Sequence, residues 1–282
     1  MRVLVTGSTG LVGGTLVPRL RETDMDVVAH GLSKPCQVNA DLTDRDATES
    51  LLDKVQPDAI INLVALTDVD TSEKDPDLAY RLNVLTVENL AAWIGLNPGR
   101  RLVQLSTDQV YDGLGTHGED DVTIRNTYAM TKYAGELAAF RVGGIALRTN
   151  LFGRSRTEGR KSLSDWLLDS FRARKTITLM TDVMFSPLAL PTLVEMIILA
   201  LNGDARGVFN LGSRDGMSKR DFALALARHF DLPTDNAKDG TQADLNLSAV
   251  RPTGMLMDST RFEKTFGLTL PTLSEEIPKA EV

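Results

Sequence analysis

The sequence predicts an α/β fold, a doubly wound parallel sheet with a smaller C-terminal lobe, and three observations carry that expectation. Short apolar runs rich in Val, Ile and Leu alternate with helical stretches from Met1 to Asn150. The first of these runs ends in a glycine turn that opens directly into a helix. After Gly153 the alternation loosens into shorter elements and polar stretches, as expected of a lobe added to a sheet.

The opening element is Arg2-Val3-Leu4-Val5-Thr6, a β-branched apolar run suited to a strand buried on both faces. Gly7-Ser8-Thr9-Gly10-Leu11-Val12-Gly13 follows, and Leu16, Val17 and Leu20 then mark a helical stripe. A strand that ends in glycines at a helix start is suited to phosphate, because backbone N–H groups and the helix dipole face the ligand. Gly7 permits the tight turn, Gly10 lets a pyrophosphate approach the backbone, and Gly13 lets the helix lie close. Gly7, Thr9, Gly10, Leu11, Val12 and Gly13 are therefore candidate cofactor residues. Asp26 to His30 reads as the second strand. Its end, where a dinucleotide's adenosine ribose would lie, offers Ser33 and Lys34 and no carboxylate. A hydroxyl and a cation suit a 2′-phosphate, so NADPH is preferred, with NADH still possible.

Asp41 to Asp44 closes a short third strand, and Thr43 with Asp46 resembles a capping box for a helix running to Val55. Ala59 to Val64 is the fourth strand, Asp77 to Leu96 one amphipathic helix, and Arg101 to Leu105 the fifth strand. Right-handed crossovers place the C-terminal ends of these strands on one edge, and Ser106-Thr107-Asp108 stands there. Thr127 to Val142 is the next helix and Ile145 to Arg148 a sixth strand. Beyond them come a helix through Leu163 and Phe171, a strand at Ile177 to Leu179, a helix from Pro191 to Leu201 and a strand at Val208 to Leu211. Ser218 with Asp221 caps a helix reaching Phe230, residues 231–250 are polar and read as loop, and Arg251 to Leu273 holds a strand and a short helix. The expected division is 1–150 as a dinucleotide-binding domain, with segments around 180–215 returning to it, and 151–282 mainly as a substrate lobe.

A charge of -7 over 282 residues argues against a nucleic-acid surface. Cys36 is the only cysteine, which excludes an intrachain disulfide. No signal peptide precedes the first strand, and no apolar run is long enough for a membrane span, so a cytoplasmic protein is expected.

Tyr128 and Lys132 carry the chemistry. Four residues apart on a helix, they share a face, and an ammonium one turn away favours the phenolate of a tyrosine whose ordinary pKa is about 10. Thr107 would donate a hydrogen bond to a substrate carbonyl while Tyr128 supplies a proton as hydride arrives. Lys132 could also reach the cofactor ribose.

Thr6-Gly7-Ser8-Thr9-Gly10-Leu11-Val12-Gly13, Asp41-Leu42-Thr43-Asp44, Asn62 to Asp70, Asn83, Ser106 to Gly113, Tyr128-Ala129-Met130-Thr131-Lys132, Leu147-Arg148-Thr149-Asn150, Ser186-Pro187 and Arg251-Pro252 together run along almost the whole chain. In these stretches it resembles an extended short-chain dehydrogenase/reductase, with a Rossmann-like fold, and within that group the dTDP-4-dehydrorhamnose reductases. The resemblance implies Thr107, Tyr128 and Lys132 as the catalytic set. It further implies Asp41 and Leu42 at the adenine, Val64, Ala65 and Leu66 along the cofactor ribose, and Asn83 as a support. Thr67, Asp108, Asn150 and Arg251 are candidates for substrate contact, with Arg251 suited to a nucleotide diphosphate.

Two departures concern the sugar pocket: Gln109 stands where the reductases usually have an aromatic residue, and Val183-Met184-Phe185 replaces a Gln-x-Gly run before Ser186-Pro187. Gln109 also removes half of the Asp-Glu pair that sugar-nucleotide dehydratases use. The glutamate with which some members bridge a dimer through magnesium is Thr15 or a neighbour here, so no metal is expected. The reading is an NAD(P)H-dependent reductase of a nucleotide-linked 4-keto-6-deoxysugar. An epimerase or other ketoreductase, and a non-catalytic cofactor-binding regulatory subunit, remain as alternatives. A homodimer through helices 77–96 and 127–142 is possible by analogy. The basic run Arg154, Arg156, Arg160, Lys161, Arg172, Arg174 and Lys175 is either a steering patch for anions or a solvated face.

Overall fold

The computed structural model describes residues 1–245 and 247–281. The chain divides into two compact units: residues 1–107, 126–147 and 194–209 form the first, and residues 108–125, 148–193 and 210–282 the second. Segment 108–125 thus groups with the later part of the chain, and 194–209 with the sheet.

The strands of the main sheet are β1 (Arg2–Thr6), β2 (Asp26–Gly31), β3 (Val38–Asn39), β4 (Ala59–Asn62), β5 (Arg101–Thr107), β6 (Ile145–Thr149) and β7 (Gly207–Leu211), of which the last two residues of β6 and of β7 count with the second unit and the rest with the first. Their order is β7-β6-β5-β4-β1-β2-β3. β1 runs parallel to both β2 and β4, with Val3 opposite Val27 and Ala59, and β4 runs parallel to β5. Val3, Leu4 and Val5 are fully buried, as are Ala59, Ile60 and Ile61, which is why these strands read as unbroken apolar runs. Leu4 and Ile60 pack with Leu52, Val87, Leu90, Trp93 and Ala139 from helices α1 (Arg45–Val55), α2 (Thr86–Leu96) and α3 (Thr127–Phe140).

Three local expectations change. Helix α1 is capped by Asp44, whose carboxylate accepts from the Ala47 N–H, whereas Thr43 donates to Asp41 instead. The third strand lies at 38–39, ahead of the Asp41 turn. The stretch 77–96 is not one regular helix: Pro76–Tyr80, capped by Asp75, passes through a π turn at Arg81–Leu85 before α2. One extra residue per turn rotates the buried face, so Leu78, Leu82 and Leu85 are only half-buried while Asn83, Val84 and Val87 face inward.

In the second unit a four-stranded sheet has the order Met217–Ser218, Met184–Phe185, Gly254–Met257, Thr116–His117. Met184–Phe185 is antiparallel to the first neighbour and parallel to the second. Residues 231–250, expected as loop, contain the strand Ala237–Gly240, which pairs parallel with Ile177–Met180. Its polar residues hide it, since an edge strand with two exposed side chains has no apolar alternation to read. Phe222 centres the core, edge-on to Phe152 at 4.9 Å and Phe185 at 5.3 Å. Among the described residues no helix is long and apolar enough to cross a membrane.

Candidate active site

The glycine turn sits at the C-terminal end of β1. Gly7 has φ +64°, and a Cβ there would lie 3.0 Å from backbone atoms of Leu63 and Val64. Gly13 opens the helix Gly13–Arg21, and a Cβ on it would stand 2.3 Å from the Ser8 carbonyl oxygen. Gly10 differs: within 4 Å of its Cβ position lies only the Gly7 oxygen, at 3.2 Å, so its outer side is open to a ligand. The helix start has no side-chain cap and no acidic residue in its first turn, which leaves its positive end without a built-in anion. These features fit a dinucleotide's diphosphate. Thr9 and Leu11 are half-buried in the turn, while Val12 is buried.

At the end of β2, Ser33 and Lys34 are both exposed. Asn39, which sequence reasoning missed, organises this loop: its Nδ2 donates to the carbonyls of Gly31 at 3.1 Å, Leu32 at 3.2 Å and Lys34 at 2.9 Å. Asp41 is exposed and its carboxylate is engaged by the N–H and hydroxyl of Thr43. The Leu42 side chain belongs to the core, and its carbonyl accepts from Asn89 Nδ2 at 2.9 Å.

A buried polar row crosses the same edge of the sheet. Thr6 Oγ1 donates to Asn62 Oδ1 at 2.5 Å, Asn62 Nδ2 to Gln104 Oε1 at 2.7 Å, and Gln104 Nε2 to the Leu105 carbonyl at 2.9 Å. Lys132 Nζ reaches that same carbonyl at 2.6 Å. Lys132 is only 4% exposed, and burial pushes its pKa down to about 8, with Glu136 acting against the fall. Glu136 itself is fully buried and accepts from the Ser106 hydroxyl. Tyr128 lies one turn before Lys132 on α3, which Asn126 caps through the Ala129 N–H, and Thr107 is the last residue of β5. Both are buried.

Asn83, brought inward by the π turn, ties the remaining pieces together. Its Oδ1 accepts from the Leu66 N–H at 2.8 Å, and its Nδ2 donates to the Leu66 carbonyl at 3.3 Å and to Thr131 Oγ1 at 3.0 Å. The half-buried segment Val64, Ala65 and Leu66 is thereby fixed to the helix that bears Tyr128. Thr67, next along, is exposed. The first unit therefore holds Thr107, Tyr128, Lys132, Thr67 and the whole set of candidate cofactor residues.

The other candidate substrate residues belong to the second unit. Asp108 is buried and accepts from Asn150 Nδ2 at 2.7 Å. Half-buried Arg251 gives its carbonyl to Gln242 Nε2 at 2.7 Å. Phe185, expected at the border of a sugar pocket, is instead a core residue at 1% exposure, and the Ser186 hydroxyl accepts from the Met257 N–H. Lys219 was not anticipated: half-buried, it has its pKa lowered by burial and by Arg251, against the pull of Asp108 and Asp182. In the basic run, Lys161 pairs with Asp169 at 2.5 Å and Arg174 with Asp235 at 3.6 Å, while Arg172 pairs with Glu281. These exposed pairs favour a solvated face over a steering patch.

The chain is 28% identical over 296 residues to the probable low-salt glycan biosynthesis reductase Agl14 of Haloferax volcanii, covering 100% of this chain and 97% of that protein. It is 31% identical over 274 residues to a probable dTDP-4,6-dihydroxy-2-methyloxan-3-one 4-ketoreductase of Streptomyces antibioticus, with 94% and 89% covered. It is also 27% identical to the methionine adenosyltransferase 2 subunit beta of Danio rerio over 93% of this chain and 84% of that one. Among solved structures, the dTDP-4-dehydrorhamnose reductase of Bacillus anthracis, in complex with NADP, superposes with a TM-score of 0.88 at 24% identity, over 99% of this chain and 98% of that one. The profile of the RmlD substrate binding domain matches residues 1–280, and the chain belongs to that family.

Proposed function

We propose that the protein is an NADPH-dependent reductase of a nucleotide-linked 4-keto-6-deoxysugar. The observation that carries this reading is the buried Lys132 ammonium, anchored on the Leu105 carbonyl at 2.6 Å and one helical turn from buried Tyr128, at the strand edge that ends in Thr107. The turn Gly7–Gly13 holds the dinucleotide's diphosphate with its backbone N–H groups. Ser33 and Lys34 take the 2′-phosphate, Asp41 and Leu42 flank the adenine, and Val64, Ala65 and Leu66 line the ribose. Bound NADPH supplies a hydride to the ketone carbon.

The residues do the rest. The Thr107 hydroxyl donates to the ketone oxygen and orients it. Tyr128 gives that oxygen its phenolic proton, and Lys132, still mostly cationic at pH 7 with a pKa of about 8, stabilises the phenolate left behind. Low dielectric around Lys132 strengthens that interaction. Thr67, Asp108, Asn150 and Arg251 contact the substrate. The family membership and the two relatives named as reductases support this reading.

The test is NADPH consumption with dTDP-4-keto-6-deoxysugars. Tyr128→Phe is expected to lower kcat by about 10²- to 10⁴-fold while leaving NADPH binding intact; equal rates would remove the mechanism. A second reading, a cofactor-binding subunit without turnover, is favoured by the likeness to a protein named as a subunit. It predicts tight NADPH binding, no consumption with any ketone, and co-purification with an enzyme.

A further inference from the structure

The small sheet of the second unit gathers charge at one end. Met184 is opposite Ser218 on one side and Gly254 on the other. The residues just beyond those pairs are therefore brought together: Lys219, whose N–H donates to the Val183 carbonyl at 2.8 Å, and Arg251-Pro252-Thr253, with the Thr253 carbonyl accepting from the Met184 N–H at 2.7 Å. Asp182, on the middle strand's approach, is held by the Gln242 N–H at 2.9 and 3.1 Å, and Gln242 in turn holds the Arg251 carbonyl.

Lys219 differs from Lys161 and Lys279 of this unit. Lys161 and Lys279 each have a carboxylate within 2.5 Å. The Lys219 ammonium has no hydrogen-bond or ion-pair partner among the described residues, and Nζ lies over the Phe185 ring, 6.0 Å from its centroid. A half-buried ammonium that no protein acceptor occupies is accessible to an anion from solution. Arg251 lies close enough to disfavour the charge on Lys219. Asp108 and Asp182 are near enough to attract Lys219 electrostatically, yet neither is its ion-pair partner, and each already accepts a hydrogen bond elsewhere. Two cations approaching from either side of the Met184–Phe185 strand suit a ligand with two linked anionic groups, and a diphosphate places such groups one bridging oxygen apart.

We propose that Lys219 is a diphosphate-binding, specificity-determining residue that acts with Arg251 on a nucleoside diphosphate. This deepens the proposed reductase reading, on which it rests for the sugar portion of the ligand. A ligand with one phosphate engages only one of the two cations, so Lys219 selects nucleoside diphosphates over monophosphates.

The experiment measures binding by calorimetry of dTDP, UDP, dTMP and thymidine to the intact protein and to Lys219→Met and Lys219→Arg, with NADPH titration and thermal unfolding in parallel. The wild type is expected to bind a diphosphate at least 10-fold more tightly than dTMP. Lys219→Met should lose that preference, Lys219→Arg should stay within 3-fold of wild type, and NADPH affinity should be the same in all three. Unchanged diphosphate binding in Lys219→Met, or an equal loss for thymidine, would overturn the assignment, as would a wild type that binds neither diphosphate. Should Lys219→Met unfold, Lys219→Arg decides alone: a diphosphate preference kept within 3-fold supports the proposal and its loss overturns it. Lys219-dependent diphosphate binding in a protein that consumes no NADPH would leave this inference standing while the reductase reading fell.

Discussion

Replacing Lys132 with methionine separates the chemistry of the site from its stability. Folding buries the ammonium and drops its pKa from 10.5 to about 8. At 1.36 kcal/mol per pH unit, a drop of about 2.5 means that the charged form costs the native state about 3 kcal/mol. The sign follows from linkage. Between pH 8 and 10.5 the unfolded chain holds this proton and the folded chain does not, so native stability rises with pH across that window. Methionine matches the unbranched stem and carries no charge. It forfeits the bond to the Leu105 carbonyl, worth about 1 to 2 kcal/mol, but that oxygen keeps Gln104 as a donor. The variant should therefore be about 1 to 2 kcal/mol more stable at pH 7, a rise in Tm of about 2 to 8 °C for a chain of this size. Its stability should also lose the climb between pH 8 and 10.5. Its kcat should fall by at least about 100-fold, because the phenolate of Tyr128 loses its counter-charge. Thermal unfolding at pH 7 and 9.5, alongside NADPH consumption, reads all three. A lower Tm at pH 7 with the wild-type pH slope intact would refute the desolvation argument. Wild-type turnover would refute the role of Lys132.

Other substitutions probe the frame around it. Gly13→Ala forces a methyl to within 2.3 Å of the Ser8 carbonyl oxygen, and should cost about 1 to 3 kcal/mol and weaken NADPH binding at least 10-fold, measured by urea unfolding and fluorescence titration. Asn83→Ala strips the Leu66 N–H and carbonyl of their side-chain partner and should destabilise by about 1 to 3 kcal/mol, read from the urea midpoint. Asn39→Ala frees three carbonyls of the loop that carries Ser33 and Lys34. It should narrow the preference for NADPH over NADH, read as the ratio of their Kd values, with little change in Tm.

What the sequence disclosed was local. β1 shows itself because five consecutive residues obey one rule, and Gly7 and Gly13 because glycine is needed for a positive φ or a close backbone approach. Ser218 is legible as a cap because the residue it serves, Asp221, is three positions on. Asn83 is a different case: the resemblance named it as a support, but its bonds to Leu66 and Thr131 cross 17 and 48 positions, and no periodicity displays them. The π turn that aims it inward also breaks the helical spacing from which a face is read. Lys219 was overlooked for a related reason. Its meaning depends on a two-residue strand lying between two others, and strands that short leave no pattern. Asp44 shows the limit of motif reading, since either Thr43 or Asp44 could have capped α1 and only the turn made by Asp41 decides between them.

The hydrogen-bonded row from Thr6 to the Leu105 carbonyl has a direction. Each amide can take only one of its two orientations, since turning Asn62 over would set its oxygen against Gln104 Oε1 and its NH₂ against the Val64 N–H. The Leu105 carbonyl, which can only accept, sets the polarity of every link back along the row, and the Thr6 hydroxyl turns to donate into it. A Thr6→Val exchange would remove one donor from Asn62 and leave the row's direction unchanged, because the Val64 N–H and the Leu105 carbonyl still fix both amides. The opening strand, which reads as plain scaffold, is thus joined by an unbroken row of hydrogen bonds to the carbonyl that anchors a buried lysine far along the chain.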